Sequence, residues 1–340
     1  VCSAPMKRLT ILDVAEQAGV SVGTVSNALN RPEVVAPDTL ASILAVMDEL
    51  GFVRNAAGRQ LTGATSPAIG LVLLDIDNPF FTNVYRGVES AANEAGYLVV
   101  VCGLAGDPSH ERRQLRLLEE QRVAGILATR VDRGSSRLYN DMRKRGTPIV
   151  LLDRRSARRS QCSVSVNDVS GGKLAASHLV ELGHRRIGLI NGPREWSQCS
   201  DRRDGFLARL DEASLSLSPP FDVEMDTMTI GAGEAAARKL LARKRRPSAI
   251  FCGNDLLALG AEHALLAAGC QVPGDVAVVG YDDVAFATMA FVPLTSIRQP
   301  AYDLGRRAAE LLLEEASGNS HRHQQVVFEP ELIVRQSTSG

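Results

Sequence analysis

Apolar residues follow two different rhythms along this chain. Between Thr10 and Phe52 they recur at helical spacing; from Ala68 onward they come as short continuous runs separated by helical stretches. In the first region Ile11, Val14, Ala15 and Ala18 share a helical face, with Thr10 placed to cap the helix and Gly19 to end it. Val20 anchors the turn. Ser21 then caps a second short helix, in which Val25 and Leu29 stand one turn apart and can pack on the first. A third amphipathic helix, PDTLASILAVMDELGF, has Pro37 at its start and Gly51 at its end. Two helices joined by a tight glycine turn form a helix-turn-helix. The outward face of the second carries Val22, Gly23, Ser26 and Asn27, small and polar enough for a DNA major groove about 12 Å wide. An ordinary helical hairpin packed on a larger body would give the same pattern.

The segment RNAAGRQLTG, Arg54 to Gly63, is a weak helix: Ala56 and Ala57 favour it, while Gly58 costs about 1 kcal/mol relative to alanine. TGATSP after it is a linker. AIGLVLL then opens a strand–helix alternation: helix NVYRGVESAANEAG, strand YLVVVC, helix SHERRQLRLLEEQ, strand AGILAT, helix RLYNDMRKRG and strand PIVLLD. It restarts after CSVSVN and runs through GGKLAASHLVELG, RIGLING, DRRDGFLARLDEA, GEAAARKLLARK, SAIFCG, DLLALGAEHALLAAG and VAVVGYDD. Alternation of this kind means parallel sheets with right-handed crossovers, here in two doubly wound subdomains. The expected organisation is a leader 1–8, a headpiece 9–54, a hinge and linker 55–67 and a core 68–340. Within the core one subdomain takes 68–166 plus 300–326, and the other 167–299 plus 327–338.

Ligands of such sheets bind beyond the carboxyl ends of the strands. Those positions hold Asp75 to Phe81, Asp153 and Arg154, Arg202 and Arg203, Asn254 and Asp255, Asp282 and Asp283, and Gln299. Paired donors and acceptors beside two aromatic faces make a sugar-binding inventory. Taken singly, each could equally cap a helix or a turn.

Composition narrows the picture. Lys+Arg is 38 against 39 Asp+Glu, so any nucleic-acid-binding surface must be local. The front region is not conspicuously basic, with Lys7, Arg8, Arg31, Arg54 and Arg59 as its cations, which implies modest affinity per headpiece and a need for two. Six cysteines without ligand spacing read as reduced thiols of a cytosolic protein. No apolar run approaches the roughly 18 residues of a membrane span. The start has no signal-peptide core, and Met6 reads as the initiator.

LDVAEQAGVSVGTVSNALN and the TLASILAVMDELGFVRNAAGRQLTG that follows resemble, without a gap over about fifty residues, the DNA-binding headpiece of the lactose-repressor (LacI/GalR) family. The resemblance implies that Val22, Gly23 and Asn27 face base edges, Asn27 pairing with adenine and Val22 touching a thymine methyl. Thr10, Ser21, Thr24, Ser26 and Asn30 would position the helices. The segment with Arg59 would be a hinge that turns helical on DNA, with Leu61 wedging a minor-groove base step; Gly58 stands where the family usually has alanine. NPFF, LLDRR, HLVELGHRRIGLINGP, FCGNDLLALGA, VAVVGYDD and LTSIRQP extend the resemblance to about Thr338, over a core also found in periplasmic sugar-binding proteins. By position, Asn78, Phe80, Phe81, Asp153, Arg154, Arg202, Asn254, Asp282 and Gln299 match the ligand residues of the ribose-binding branch. Met228 stands where that branch has an aromatic ring. What this implies is an N-terminal all-α helix-turn-helix headpiece joined to an α/β periplasmic-binding-protein-like core. The implied activity is that of a cytoplasmic, homodimeric repressor of a near-palindromic operator, controlled by ribose or a related sugar and needing no cofactor.

Two other classes compete with this reading. GAGEAA places Gly231 and Gly233 at a helix start with Asp255 about twenty residues on, an imitation of a dinucleotide fingerprint; the preceding VEMDTMTI is a poor buried strand. A transport-type sugar-binding protein would share the core but carry a signal peptide and no headpiece. No catalytic set has motif context. His321 and His323 read as a solvated loop rather than a metal site.

Overall fold

The computed structural model describes residues 9–53, 65–104, 108–129, 136–318 and 321–339. The chain falls into two units, Val1–Ala64 and Thr65–Gly340. The hinge positions Gly58, Arg59 and Leu61 lie outside the described residues.

The first unit packs α1 (Ile11–Gln17), α2 (Val22–Asn30) and α3 (Pro37–Leu50) around Val14, Ala15, Val25, Ala28, Ile43 and Met47. The Thr10 amide and hydroxyl both donate to Asp13 Oδ2 at 2.6 Å. Ser21 Oγ accepts from the Thr24 amide at 3.1 Å. Gly19, at φ +65°, makes the turn that sets α2 against α1. Leu29, expected in the α1–α2 contact, is only partly buried; Ala28 takes the inward position beside Val25.

The second unit has two six-stranded sheets. The first, in spatial order β11-β5-β4-β3-β1-β2, is parallel throughout and comprises β1 (Ser66–Leu73), β2 (Leu98–Gly103), β3 (Val123–Ala128), β4 (Ile149–Leu152), β5 (Ser163–Val166) and β11 (Gln325–Phe328). The second is ordered β12-β10-β9-β8-β6-β7: β6 (Ile187–Asn191), β7 (Asp222–Glu224), β8 (Ala249–Cys252), β9 (Ala277–Asp282), β10 (Thr295–Arg298) and β12 (Glu331–Ile333), with only β12 antiparallel. Helices α4 (Pro79–Glu94), α5 (Pro108–Glu120) and α6 (Ser136–Lys144) belong with the first sheet. With the second go α7 (Asp168–Glu181), α8 (Ser197–Glu212), α9 (Ile230–Leu241), α10 (Asp255–Ala267) and α11 (Ala285–Met289); α12 (Ala301–Ala316) returns to the first.

The chain therefore crosses between subdomains after β5, after β10 and after β11. The last crossing lies beyond Phe328, not at the expected 326/327 boundary, because Gln325–Phe328 pairs along all of Ser163–Val166. Several helices begin a turn earlier than their apolar pattern indicates. As a result Phe80 and Phe81 stand in the first turn of α4, and Arg202 in the body of α8.

Helix α8 approaches α7 closely at a pair of glycines. A Cβ on Gly172 would lie 1.9 Å from the Arg202 carbonyl oxygen, and one on Gly205 1.9 Å from that of Val169. The same device joins α4 to α12 at Gly87 and Gly305. Backbone contact of this kind leaves no room for a methyl group and holds Arg202 at a fixed height above its sheet. Gly172→Ala should destabilise the protein by about 3 kcal/mol or more, read as a lowered urea midpoint with unchanged slope; an unchanged midpoint would mean that the helices can separate at no cost.

Candidate functional site

The carboxyl ends of both sheets face a cleft of about 380 Å³ of atom-free space, part of it open to solvent. Asn78 caps α4, its Oδ1 accepting from the Phe80 amide at 3.0 Å, while its Nδ2 donates across the cleft to Asp282 Oδ2 at 3.0 Å. Asp282 ends β9, and its other oxygen accepts from Gln299 Nε2 at 2.7 Å. The rings of Phe80 and Phe81 meet edge to face at 5.0 Å. Asp153, Asp282 and Asp283 all have positive φ, at +57°, +105° and +53°. Strain of this kind in non-glycine residues gathers where a site needs a particular side-chain direction.

Arg202 is the fixed charge of the cleft. It is 3% exposed, donates from Nε to Asp168 Oδ1 at 2.8 Å and from Nη1 to the Gly253 carbonyl at 2.6 Å, and lies 3.9 Å from Asp282 Oδ1. Its guanidinium sits 3.7 Å over the Tyr281 ring, and the Tyr281 hydroxyl donates to the same Asp168 oxygen at 2.9 Å. Burial works against this charge, but Asp168, Tyr281 and Asp282 outweigh it and keep the guanidinium protonated.

Of the expected ligand residues, Asn78, Phe80, Phe81, Asp153, Arg202, Met228, Asn254 and Asp282 line the cleft. Gln299 does not; it holds Asp282 from behind, beside a neighbouring cavity with Arg298 and Tyr302. Arg154 is half-buried and also outside the lining. Asn254 does structural work at the same time, capping α10 through the Leu257 amide at 2.9 Å and holding the Met228 carbonyl at 3.1 Å. Trp196 and Gln198 line the cleft without having been singled out. Trp196 packs against the core of the first subdomain, although it caps α8 of the second. It brings an aromatic ring into the same cleft as Met228. It is the chain's only tryptophan and stands just past a strand end, which is the sequence signal for an aromatic wall here.

Burial raises Asp153 well above the usual carboxylate range, helped by Asp168 and Asp282 and opposed by Arg202. Its Oδ1 is buried with no hydrogen-bond partner among the described residues. Such an acceptor in the cleft wall calls for a donor from a bound molecule. Burial also lifts Asp282 to about 6, with Arg202, Asn78 and Gln299 pulling it back.

The dinucleotide-like GAGEAA serves packing. A Cβ on Gly233 would lie 2.1 Å from the Leu257 carbonyl, and Asp255 is buried, accepting from Ser296 at 2.6 Å and the Val284 amide at 2.8 Å. In the first unit Val22, Gly23 and Asn27 are on α2, and all three are exposed. Ser21 Oγ and Thr24 Oγ1 lie 2.8 Å apart, and Asn30 Nδ2 donates to the Ser26 carbonyl at 2.9 Å. No helix among the described residues is long and apolar enough to cross a membrane.

Residues 10–55 match the model of bacterial regulatory proteins of the lacI family, and 176–338 that of the periplasmic binding protein-like domain. The HTH-type transcriptional repressor PurR of Photobacterium profundum is 36% identical, over 96% of this chain and 98% of that one. The ribose operon repressor of Escherichia coli (strain K12) is 34% identical, over 96% and 99%. The lac repressor dimer bound to operator and the anti-inducer ONPF superposes with a TM-score of 0.86 at 27% identity, covering 98% of this chain and 99% of that one. A DNA-binding headpiece followed by a two-subdomain ligand core defines a class of ligand-controlled regulators. Within that class, this chain belongs to the lacI family of bacterial regulatory proteins; it is a DNA-binding transcriptional repressor and not an enzyme.

The titration of Asp282 has a sign that experiment can test. A carboxyl lifted from its ordinary range to about 6 contributes to folding stability below pH ~4 and loses that contribution as pH rises through about 6. A ligand hydroxyl donating to Asp282 favours the charged form, so ligand affinity should weaken as pH falls below about 6. Calorimetric titration between pH 7 and 5 reads this directly, and a flat profile would remove Asp282 from ligand contact.

Proposed function

We propose that the protein is a cytoplasmic homodimer that binds a near-palindromic operator and releases or tightens on it when a ribose-like sugar enters the cleft. The observation that carries the ligand reading is the set of buried acceptors around Asp282. Asp153 Oδ1 has no donor among the described residues, and Asp282 accepts from Asn78 and Gln299. Among the described residues only Arg202 brings a positive charge to the cleft walls, and Asp168 already binds it. A neutral molecule rich in hydroxyl donors suits such walls, and an anion does not. Phe80, Phe81 and Trp196 offer apolar faces to the C–H surface of its ring. The similarity to a ribose operon repressor supports a pentose. Hexoses, polyols, nucleosides and purines are the competing ligands.

The Asn78–Asp282 bond spans the two subdomains, so a ligand that joins or replaces it changes their closure. Closure would reach the DNA through the paired hinges, where Arg59 and Leu61 are expected to act. A coupling of about 1–3 kcal/mol suffices for regulation. On α2, Asn27 is the polar side chain offered to base edges, beside Val22 and Gly23. Thr10, Ser21, Thr24, Ser26 and Asn30 hold the helices in position, several of them through phosphate contacts.

Asp282→Asn should weaken binding of the active sugar at least tenfold while leaving operator affinity without ligand within about twofold; calorimetry against a panel of pentoses, hexoses, polyols and nucleosides, with parallel operator titrations, measures both. Undiminished affinity for the sugar in the Asp282→Asn variant would refute the cleft assignment. Asp282 is a better target than Arg202, whose loss would leave Asp168 buried without its cation. At the other end of the molecule, Asn27→Ala should relax preference at one base pair per half-site, at a cost of about 1–3 kcal/mol. Binding-site selection with both proteins checks this, and identical preferences would exclude Asn27 from base readout.

A further inference from the structure

A second cluster of ligand-type side chains lies in the first subdomain, at the end of the sheet away from the cleft. Cys162 stands just before β5, His321 and His323 just before β11, and Glu315 in the last turn of α12. Parallel pairing of Gln325 with Ser163 brings the two strand starts side by side. Cys162 Sγ lies 3.1 Å from His321 Nε2 and 3.6 Å from His323 Nδ1, and His323 Nδ1 lies 3.9 Å from Glu315 Oε2. All four ligand atoms fall within 4.8 Å of one another. The reading of these histidines as a solvated loop does not hold: His321 keeps 7% of its side chain exposed, because β11 docks its leading segment onto Cys162.

We infer that Cys162, His321, His323 and Glu315 form a structural site for a zinc ion. One thiolate, two imidazoles and a carboxylate are the donors that this borderline-soft cation takes in tetrahedral geometry, and four protein ligands leave no open position for catalysis. Zinc bonds of about 2.0–2.3 Å place tetrahedral ligands roughly 3.3–3.8 Å apart. The Cys162–His323 separation of 3.6 Å lies in that range, the Cys162–His321 separation of 3.1 Å opens by a few tenths of an ångström, and the widest gap closes by about 1 Å.

The surroundings suit a metal as well. Glu315 Oε2 is buried with no hydrogen-bond partner among the described residues. Glu314 Oε2 lies 3.5 Å from His321 Nδ1, where a carboxylate fixes the tautomer that presents Nε2 to a metal. The Gln324 amide donates to Cys162 Sγ at 3.3 Å, a bond that a thiolate strengthens. The opposing charge is Arg143, 3.5 Å from His323 Nε2. Coordination through Nδ1 puts the proton of that ring on Nε2, so Arg143 gives up that contact and keeps its bond to the Ser160 carbonyl. Binding replaces the Cys162 S–H by S–Zn and releases the proton to solvent. The ion would tie the end of α12 to β5 and β11, the strand that leads into the last crossover.

The test uses untagged full-length protein. Zinc titration should show a single ion per chain and raise the melting temperature, and cobalt should give tetrahedral visible bands with a sulfur-to-cobalt charge-transfer band. In Cys162→Ser the charge-transfer band should vanish, and in His321→Gln or His323→Gln zinc affinity should fall about a hundredfold or more. Operator binding by each variant shows that it is folded. Absence of stoichiometric binding by wild type, or wild-type zinc affinity in the folded variants, would overturn the site.

Discussion

A buried guanidinium organises the ligand core. Removing Arg202 from water costs on the order of several kcal/mol, and the structure offsets this with Asp168, the Gly253 carbonyl and the face of Tyr281. Each of those partners belongs to a different element, so the charge is satisfied only when α7, α8, β9 and the end of β8 are assembled together. The glycine contact between α7 and α8 belongs to the same constraint, since it sets the distance at which Nε meets Asp168.

From this charge the acidic groups of the cleft take their character. Asp282 sits near enough to Arg202 to be held down, yet deep enough to titrate near neutrality. Asp153, across the cleft, gains less from Arg202 than burial and its acidic neighbours take away. The described cleft walls therefore carry several carboxyl groups against one cation, Arg202, a balance that suits a hydroxyl-rich ligand and disfavours a carboxylate-bearing one. Because Asn78 reaches Asp282 from the opposite subdomain, ligand recognition and subdomain closure use the same atoms. The zinc cluster occupies the far end of the first sheet, at the level where β1 begins after the linker, and acts on a different part of that subdomain.

Much of the fold was legible along the chain because parallel strands buried on both faces are written as unbroken apolar runs, and α1 to α3 as capped, periodic segments. The family resemblance added what the pattern could not, namely which strand ends carry ligand groups. Boundaries were less legible. First turns such as Pro79–Phe81 and Ser197–Ser200 lack the apolar helical period of the rest of their helices, so they carry no outward sign of helix. Strands β11 and β12 are short and half-exposed, and only their neighbours define them.

What the sequence determined by itself is the local grammar: helix caps at Thr10 and Ser21, the glycine turn, the strand–helix alternation, and the polar residues placed where strands stop. These follow from backbone and side-chain preferences within a few residues. What only the tertiary structure decided is which of those groups meet. Asn78 and Asp282 are 204 positions apart, and Cys162 and His321 are 159. Trp196 reaches a subdomain to which its helix does not belong, and Gln299, expected among the ligand residues, instead holds Asp282. Contacts at such separations depend on crossovers and strand order, and no local periodicity encodes them.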